Sequence, residues 1–479
     1  MRQSIKPLWA AAAALLAGAC VTVGPDFTGP IPPEGTTATH YAMAADPIPA
    51  GVILAPGGEA GAPWWRAFNS AELDSYIQFA LARSPSVEEA EAVLERSQAM
   101  LAAERGEALP QASLGLGARR TRINTTAFGF SGFPNRTLDL YSINGGVTYD
   151  LDLFGGRRRR IEAAAARVEA DSARAEAARL ALTGNLTLQL LRVAVLQAYL
   201  TEVRQLVEND RRIIDMIQEA QAAGGAARAD LSTIVAQLAE DEALIPPVQR
   251  QLAAARHQVA LLSGRAPAAL TLPEIRLSAV SAPSDVPIAV PSELLRRRPD
   301  IRAAEAELHA ATANIGVAAA NQYPAVRLTA DLTQTALRPD DLFGAQASGW
   351  NLASSLAAPL FDGGVLKARR QAAEAEARVA QARYEQTVLR AFVQVSDALA
   401  ALAADQEGIA SMLRAVAAAE IALQDAQSAQ RLGAGPLIDV VRAQRTLSRA
   451  RQALVQIQGQ RLFDLVELYV AAAPDWRAS

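Results

Sequence analysis

Tyr141-Ser142-Ile143-Asn144-Gly145-Gly146-Val147-Thr148-Tyr149-Asp150-Leu151-Asp152-Leu153-Phe154-Gly155-Gly156, followed at once by Arg157-Arg158-Arg159-Arg160, is the stretch that decides the fold. Up to Leu153 the residues alternate. Tyr141, Ile143, Val147, Tyr149, Leu151 and Leu153 fall on one side, and Ser142, Asn144, Gly146, Thr148, Asp150 and Asp152 on the other. A period of two with one polar face is a strand. After the double glycine the period changes, and no proline interrupts residues 157–222. At 1.5 Å per residue such a helix is on the order of 100 Å long, which suits a structure spanning a gap rather than a globule.

The same design lies on both sides of this stretch. A weaker strand with Leu114, Leu116 and Ala118 on its apolar face precedes it, giving a hairpin over 111–153. Leu153-Phe154-Gly155-Gly156 returns as Leu360-Phe361-Asp362-Gly363-Gly364, ahead of a second proline-free run over 365–431. Before that run, Val326, Leu328, Ala330 and Leu332 alternate with Arg327, Thr329, Asp331 and Thr333. Trp350, Leu352, Leu356 and Leu360 alternate with Asn351, Ser355 and Ala357, so a second hairpin is expected over 325–361. Further upstream, Ser84-Pro85-Ser86-Val87-Glu88-Glu89-Ala90-Glu91-Ala92 reappears as Arg298-Pro299-Asp300-Ile301-Arg302-Ala303-Ala304-Glu305-Ala306. The chain therefore reads as two repeats, 68–263 and 291–472, joined by a Pro-rich linker at 264–290 and closed by a tail at 473–479. Each repeat is helix, hairpin, long helix, helix; the first helix, about 86–108, ends at Pro110 because proline cannot continue the hydrogen-bond ladder. Val193, Leu196, Leu200, Val203 and Val207 are spaced as a coiled-coil seam, as are Val440, Leu447 and Leu454.

Alternation of this kind also occurs in soluble, half-buried sheets, so each strand alone decides little. The N-terminus shifts the balance. Arg2 and Lys6 precede a short apolar stretch, and small residues lead to Cys20, the sole cysteine. Leu16-Ala17-Gly18-Ala19-Cys20 resembles a lipobox, with Ala17 where leucine is usual. Residues 1–19 then form a lipoprotein signal peptide, and 20–67 a lipid anchor with an extended Pro/Gly-rich segment. Val21, rather than aspartate, favours the outer membrane. Four segments of about ten residues behind such a signal point to a transmembrane barrel. Four strands cannot close one, and open edges are not tolerated in lipid, so the chain must oligomerise with three or more copies.

Composition excludes other classes. Of 479 residues 51% are apolar but only 5% aromatic, a bias that suits closely packed helices. Lys and Arg number 46 against 50 Asp and Glu, a formal net charge of −4, which argues against nucleic acid. Three histidines and one cysteine give no metal set, and no nucleophile elbow, phosphate loop or His-Glu-x-x-His motif is present. No cofactor is expected beyond a covalent lipid on Cys20, and no enzyme activity.

Val290-Pro291-Ser292-Glu293-Leu294-Leu295-Arg296-Arg297-Arg298-Pro299-Asp300-Ile301-Arg302-Ala303-Ala304-Glu305 resembles the outer membrane factor family, the TolC-like efflux outlets, and especially its NodT-like lipoprotein branch. Val23-Gly24-Pro25-Asp26-Phe27, Trp64-Trp65, Leu153-Phe154-Gly155, Leu360-Phe361-Asp362-Gly363-Gly364, and Arg431-Leu432-Gly433 through Asp439-Val440 match as well. The resemblance implies a mixed α/β membrane protein whose trimer completes a 12-stranded transmembrane β-barrel. Long coiled-coil helices would continue it as a periplasmic α-helical barrel. Loops at about 124–138 and 337–348 would lie at the cell surface, and 264–290 with the C-terminal tail would belt the tunnel. It further implies the outlet of a tripartite efflux system for small toxic compounds, partnered by a periplasmic adaptor and an inner-membrane pump of the RND type. A type I protein-secretion outlet is the alternative within the class, and a poreless periplasmic coiled-coil scaffold lipoprotein the alternative outside it.

Two sets of residues are candidates for mechanism. Gly224, Gly225, Arg228 and Asp230 mark one hairpin tip between long and final helices; Arg431, Gly433, Gly435 and Asp439 mark the other. By resemblance the tips close the tunnel at rest and meet the adaptor; Arg228, Asp230, Arg431 and Asp439 are candidates to pair across protomers, with solvated helix-end charges as the alternative. The first tip lacks the family's Arg-x-Gly arrangement. The basic run Arg157, Arg158, Arg159 and Arg160 is echoed by Lys367, Arg369 and Arg370. These are candidates for a membrane rim that meets anionic headgroups.

Overall fold

The computed structural model describes residues 22–36, 41, 43, 49–54, 63–124, 129, 132, 134–225, 227–283, 286–288 and 291–472. Cys20, the signal segment and the tail at 473–479 lie outside the described residues. In chain order the elements are β1 (Val52–Leu54), α1 (Ala71–Leu81), α2 (Pro85–Glu107), β2 (Gln111–Ile123), β3 (Arg136–Leu151), α3 (Gly156–Ala222), α4 (Arg228–Glu242), α5 (Ile245–Leu262), β4 (Val286–Ile288), α6 (Pro291–Arg297), α7 (Pro299–Ala320), β5 (Ala325–Ala336), β6 (Ser348–Ala357), α8 (Val365–Arg431) and α9 (Leu437–Ala472). The two long helices have 67 residues each.

The final helix of the first repeat differs from expectation, being two helices. Ala243 and Leu244 separate α4 from α5, where Pro246 and Pro247 remove two backbone donors that a continuous helix would need. Its counterpart α9 has no proline and runs unbroken for 36 residues. By length and composition alone, α3 and α8 each contain a stretch long and apolar enough to cross a bilayer. Their apolarity is spread through alanine-rich sequence with scattered polar residues, so no unbroken apolar run announces it.

The compact units do not follow the repeats. Among the described residues one gathers 22–30, 93–171 and 304–384; the other gathers those within 31–92, 172–303 and 385–472, so each draws on both repeats. Helices too long for one core cross the boundary, and that forces the mixing.

The first unit holds a four-stranded antiparallel sheet in the order β2-β3-β5-β6. Leu116 faces Ile143, Val147 faces Ala330 and Ala330 faces Leu352, so the apolar sets of all four strands share one side. Beneath it Phe154 stacks on Tyr323 at 4.6 Å, and Leu308, Ala311 and Ala380 form a small core with Phe27.

The second unit is held by helix seams. Val193, Leu200, Val203 and Val207 of α3 are buried, and Val193 and Leu200 meet Val248, Leu252 and Ala255 of α5. The α9 stripe is displaced from the one read from spacing. Leu447 is buried, but Val441 rather than Val440 enters the core, followed by Leu462, Leu465 and Leu468. Glycines bring these helices together: a Cβ on Gly459 would stand 2.6 Å from Val195 Cγ1, and one on Gly184 2.5 Å from Val470 Cγ2. Trp64 stacks on Tyr469 at 5.5 Å, and Phe68 lies edge-on to the same ring. β1 and β4 pair in parallel in this unit.

Candidate channel surfaces

The sheet presents two unlike faces. On one, Leu114 and Leu116 of β2, Val147 of β3, Leu332 of β5, and Trp350, Leu352 and Leu356 of β6 are exposed in the protomer. On the other lie Ser142, Asn144, Thr148, Arg327, Thr329, Asp331 and Asn351. Arg327 Nε donates to Asp150 Oδ1 at 2.6 Å, and Arg157 reaches Asp150 Oδ2 at 2.7 Å, so the Asp150 charge on the polar face is paired. Eight residues separate Tyr149 from Tyr141 on the apolar face, about 27 Å of strand at ~3.4 Å per residue. With the tilt of barrel strands this approaches the ~25 Å apolar band bounded by aromatic residues that outer-membrane barrels show.

The helix hairpins that end the second unit are the same device built twice. After α3, Gly224 has φ +77° and the Gly225 amide donates to Ala220 O at 2.8 Å. After α8, Gly433 has φ +69° and the Ala434 amide donates to Ala429 O at 2.9 Å. A left-handed glycine with this crossed bond ends a helix by satisfying its last carbonyls. The first tip thus adopts the second tip's geometry although Ala222 stands where the second has Arg431. Arg431 is satisfied within its own helix, through Gln427 O at 3.3 Å and Ser428 Oγ at 3.2 Å. Asp230 Oδ2 accepts from the Ala227 amide, and Asp439 pairs with Arg442 at 3.5 Å. Within the protomer the four tip charges do not meet one another. Ile213, Ile217, Ile234 and Val441 join the ends of α3, α4 and α9 just behind the tips.

Sequence reasoning missed a cluster behind this apolar joint. Arg445 of α9 holds Asp241 of α4 at 2.8 Å and Asp210 of α3 at 3.5 Å. Burial pushes the Asp210 carboxyl up to about 7, and its hydrogen bond with Asp241 adds to the rise.

The basic run at the start of α3 is only partly available to a membrane surface. Arg157 is tied to Asp150 and the Glu107 carbonyl, and Arg158 to Asp152 at 3.3 Å. Asp152 also accepts from the amides of Arg157 and Arg158, so a carboxylate offsets the run at the helix N-terminus. Asp362 does the same for α8 through the amides of Gly364 and Leu366, which hold its carboxyl below the usual range. Arg159 corrects the rim expectation outright. Its side chain is 4% exposed, bound to Asp26 at 2.5 Å and Glu162 at 2.8 Å. It seats the segment that follows Cys20: the Val23 amide donates to Phe154 O, Phe27 stacks on His309 at 4.4 Å, and His309 meets Glu162 at 3.1 Å. Gly155 is required here, with φ +77° and Thr22 Cγ2 only 2.6 Å from where a Cβ would stand. Val23-Gly24-Pro25-Asp26-Phe27 together with Gly155-Gly156 was the available signal. Arg160 of the first run and Lys367 and Arg369 of the second are exposed; Arg370 pairs with Glu374 at 2.9 Å. Among the described residues, no three His, Cys, Asp or Glu side chains converge as a metal set.

A sheet with one lipid-compatible face and one polar face, open at both edges and continued by very long helices, defines a strand-built membrane channel with a helical extension. The chain belongs to the outer membrane efflux protein family, whose profile matches it twice, over residues 76–265 and 290–473. It is 29% identical over 419 residues to the pyoverdine export outer membrane protein OpmQ of Pseudomonas aeruginosa, covering 87% of this chain and 88% of that one. Identity to nodulation protein T of Rhizobium leguminosarum bv. viciae is also 29%, over 97% of this chain and 92% of that one. The solved structure of the outer-membrane channel OprN superposes with a TM-score of 0.84 at 27% identity, over 95% of this chain and 100% of that one. The protein is an outer-membrane efflux channel of the kind that serves tripartite pumps.

Proposed function

We propose that three copies close into a twelve-stranded barrel continued by a helical tunnel, a passive duct for small toxic compounds. The observation that carries this is the strand order. β2 and β6 are the outer strands of the sheet, so among the described residues each has one edge without a partner. In hydrocarbon each unpaired backbone group costs several kcal/mol, and only closure by neighbouring copies removes the edges. Two copies would give eight strands, whose side chains fill the interior; three leave a passage.

Cys20 carries the lipid in this reading, in the outer membrane, with residues 22–27 led away along the Arg159 seat. The tips, with Gly224, Gly225, Arg228, Asp230, Arg431, Gly433, Gly435 and Asp439, face a periplasmic adaptor and an inner-membrane pump of the RND type. Arg160, Lys367 and Arg369 meet anionic headgroups at the rim. The chain catalyses nothing: flow is driven by the pump. Small compounds are favoured over proteins as cargo because OpmQ is named for export of pyoverdine.

Mass of the purified protein in detergent, with single-channel conductance in planar bilayers, tests the reading. A trimer with small, gated conductance is expected. A monomer that conducts nothing would overturn it.

A further inference from the structure

Past the apolar belt, the first hairpin becomes strongly basic. From Gln111 to Leu138 every charged residue is an arginine: Arg119, Arg120, Arg122 and Arg136. The register places Arg120 opposite Asp139 and Arg122 opposite Thr137, one and two cross-strand positions beyond the Ala118–Tyr141 pair along that face. Arg120 and Arg122 therefore share the face of Leu114, Leu116 and Ala118, while Arg119 lies on the polar side. Among the described residues only Asp139 answers them: its oxygen is 3.6 Å from Arg120, whose side chain is 77% exposed. An exposed pair at that distance contributes little and leaves the cluster with a net positive charge. The second hairpin is built differently, since its tip holds Arg338 beside Asp340 and Asp341.

Cations at the upper edge of a lipid-facing belt sit at headgroup depth. Arginine in particular matches phosphate with a fork of donors. We propose that Arg120 and Arg122 form a binding site for the phosphates of a phosphorylated glycolipid headgroup in the leaflet at the hairpin tips, one site per protomer. The inference rests on the assignment of the sheet's apolar face to lipid. Three such sites ring the mouth of the trimer and fix its depth in the membrane by charge, where the belt alone fixes it by hydrophobic match.

The test uses the delipidated trimer titrated with bisphosphorylated lipid A, with its dephosphorylated form, and with inorganic phosphate, bound lipid being counted by native mass spectrometry. Wild type is expected to hold up to three bisphosphorylated lipids. Because each cation at such a surface contributes roughly fivefold, Arg120→Gln/Arg122→Gln is expected to bind them roughly twenty-five-fold more weakly. Arg250→Gln, an exposed arginine of α5, is expected to bind as wild type does, and free phosphate to compete poorly. Equal retention by the double variant, or equal binding of the dephosphorylated lipid, overturns the inference, as does displacement by free phosphate. Cation–anion selectivity of the double variant separates two failures. Unchanged retention with altered selectivity would put these arginines in the lumen and sink the face assignment too. With selectivity unchanged, only the lipid site falls.

Discussion

Asp210 is 1% exposed on α3, and its Oδ1 finds no hydrogen-bond partner in the protomer. Its neighbours from the other helices are Asp241 of α4 and Arg445 of α9, one cation between two carboxylates. Asp405 of α8 repeats the problem against Asp464 of α9. Burial pushes it up to about 7, the hydrogen bond with Asp464 adds to that, and Arg461 opposes it. A carboxyl whose folded-state value lies above its unfolded one stabilises the fold fully below the unfolded value, near 4, and loses that contribution as pH rises through about 7. The protein is therefore expected to melt at a higher temperature near about pH 5.5 than near about pH 8, with Asp210→Asn narrowing the difference. Melting curves in which the variant keeps the full pH dependence would count against this account. Arg445→Ala should cost about 3–5 kcal/mol at neutral pH, since it leaves buried acid without its cation. Nothing in the sequence marked this trio, because Arg445 lies 204 and 235 positions from its two partners. Only folding brings them within reach.

At the scale of elements, what was legible followed from local chemistry. The period-two stretches became β2, β3, β5 and β6, and the proline-free runs became α3 and α8, because alternation, proline and glycine act on their own neighbourhood. What was not legible depended on partners. In α9 Leu447 is buried as its spacing implied but Val441 replaces Val440, because a helix's buried face is set by what it meets, and here glycine does much of that work. Gly459→Ala should destabilise by about 1–3 kcal/mol despite alanine's better helix propensity, since the new methyl drives into Val195. Val195→Ala should restore much of the loss, and a double-mutant cycle by thermal melting would show it. The tips give a second test. Because Gly224 and Gly433 share a left-handed conformation and a crossed hydrogen bond, valine at either should cost a similar ~1–2 kcal/mol. Amide exchange should then quicken at the substituted tip by a similar factor in each variant. A large effect at Gly433 with none at Gly224 would show that the tips differ after all.

The whole molecule turns on which side of the sheet meets lipid, and adjacent residues of one strand decide it. Leu352 and Asn351 are neighbours on β6, so their side chains point to opposite faces. Leu352 is 74% exposed in the protomer, beside Ala330 and in line with Val147, and no described element of its own chain covers it. If that exposure is to hydrocarbon, Leu352→Arg buries a charge at belt depth and should cost about 2–4 kcal/mol, with less trimer recovered from the outer membrane. Asn351→Arg adds the same charge to the polar face beside Asp331, where water remains available. That variant should assemble normally and shift the conductance and ion selectivity of the open duct. Trimer yield and single-channel current therefore respond to different members of the pair. The reverse pattern, an assembled Leu352→Arg with altered current and a lost Asn351→Arg, would turn the barrel inside out. Equal tolerance of both would mean that neither face meets lipid, leaving the long helices without a pore to extend.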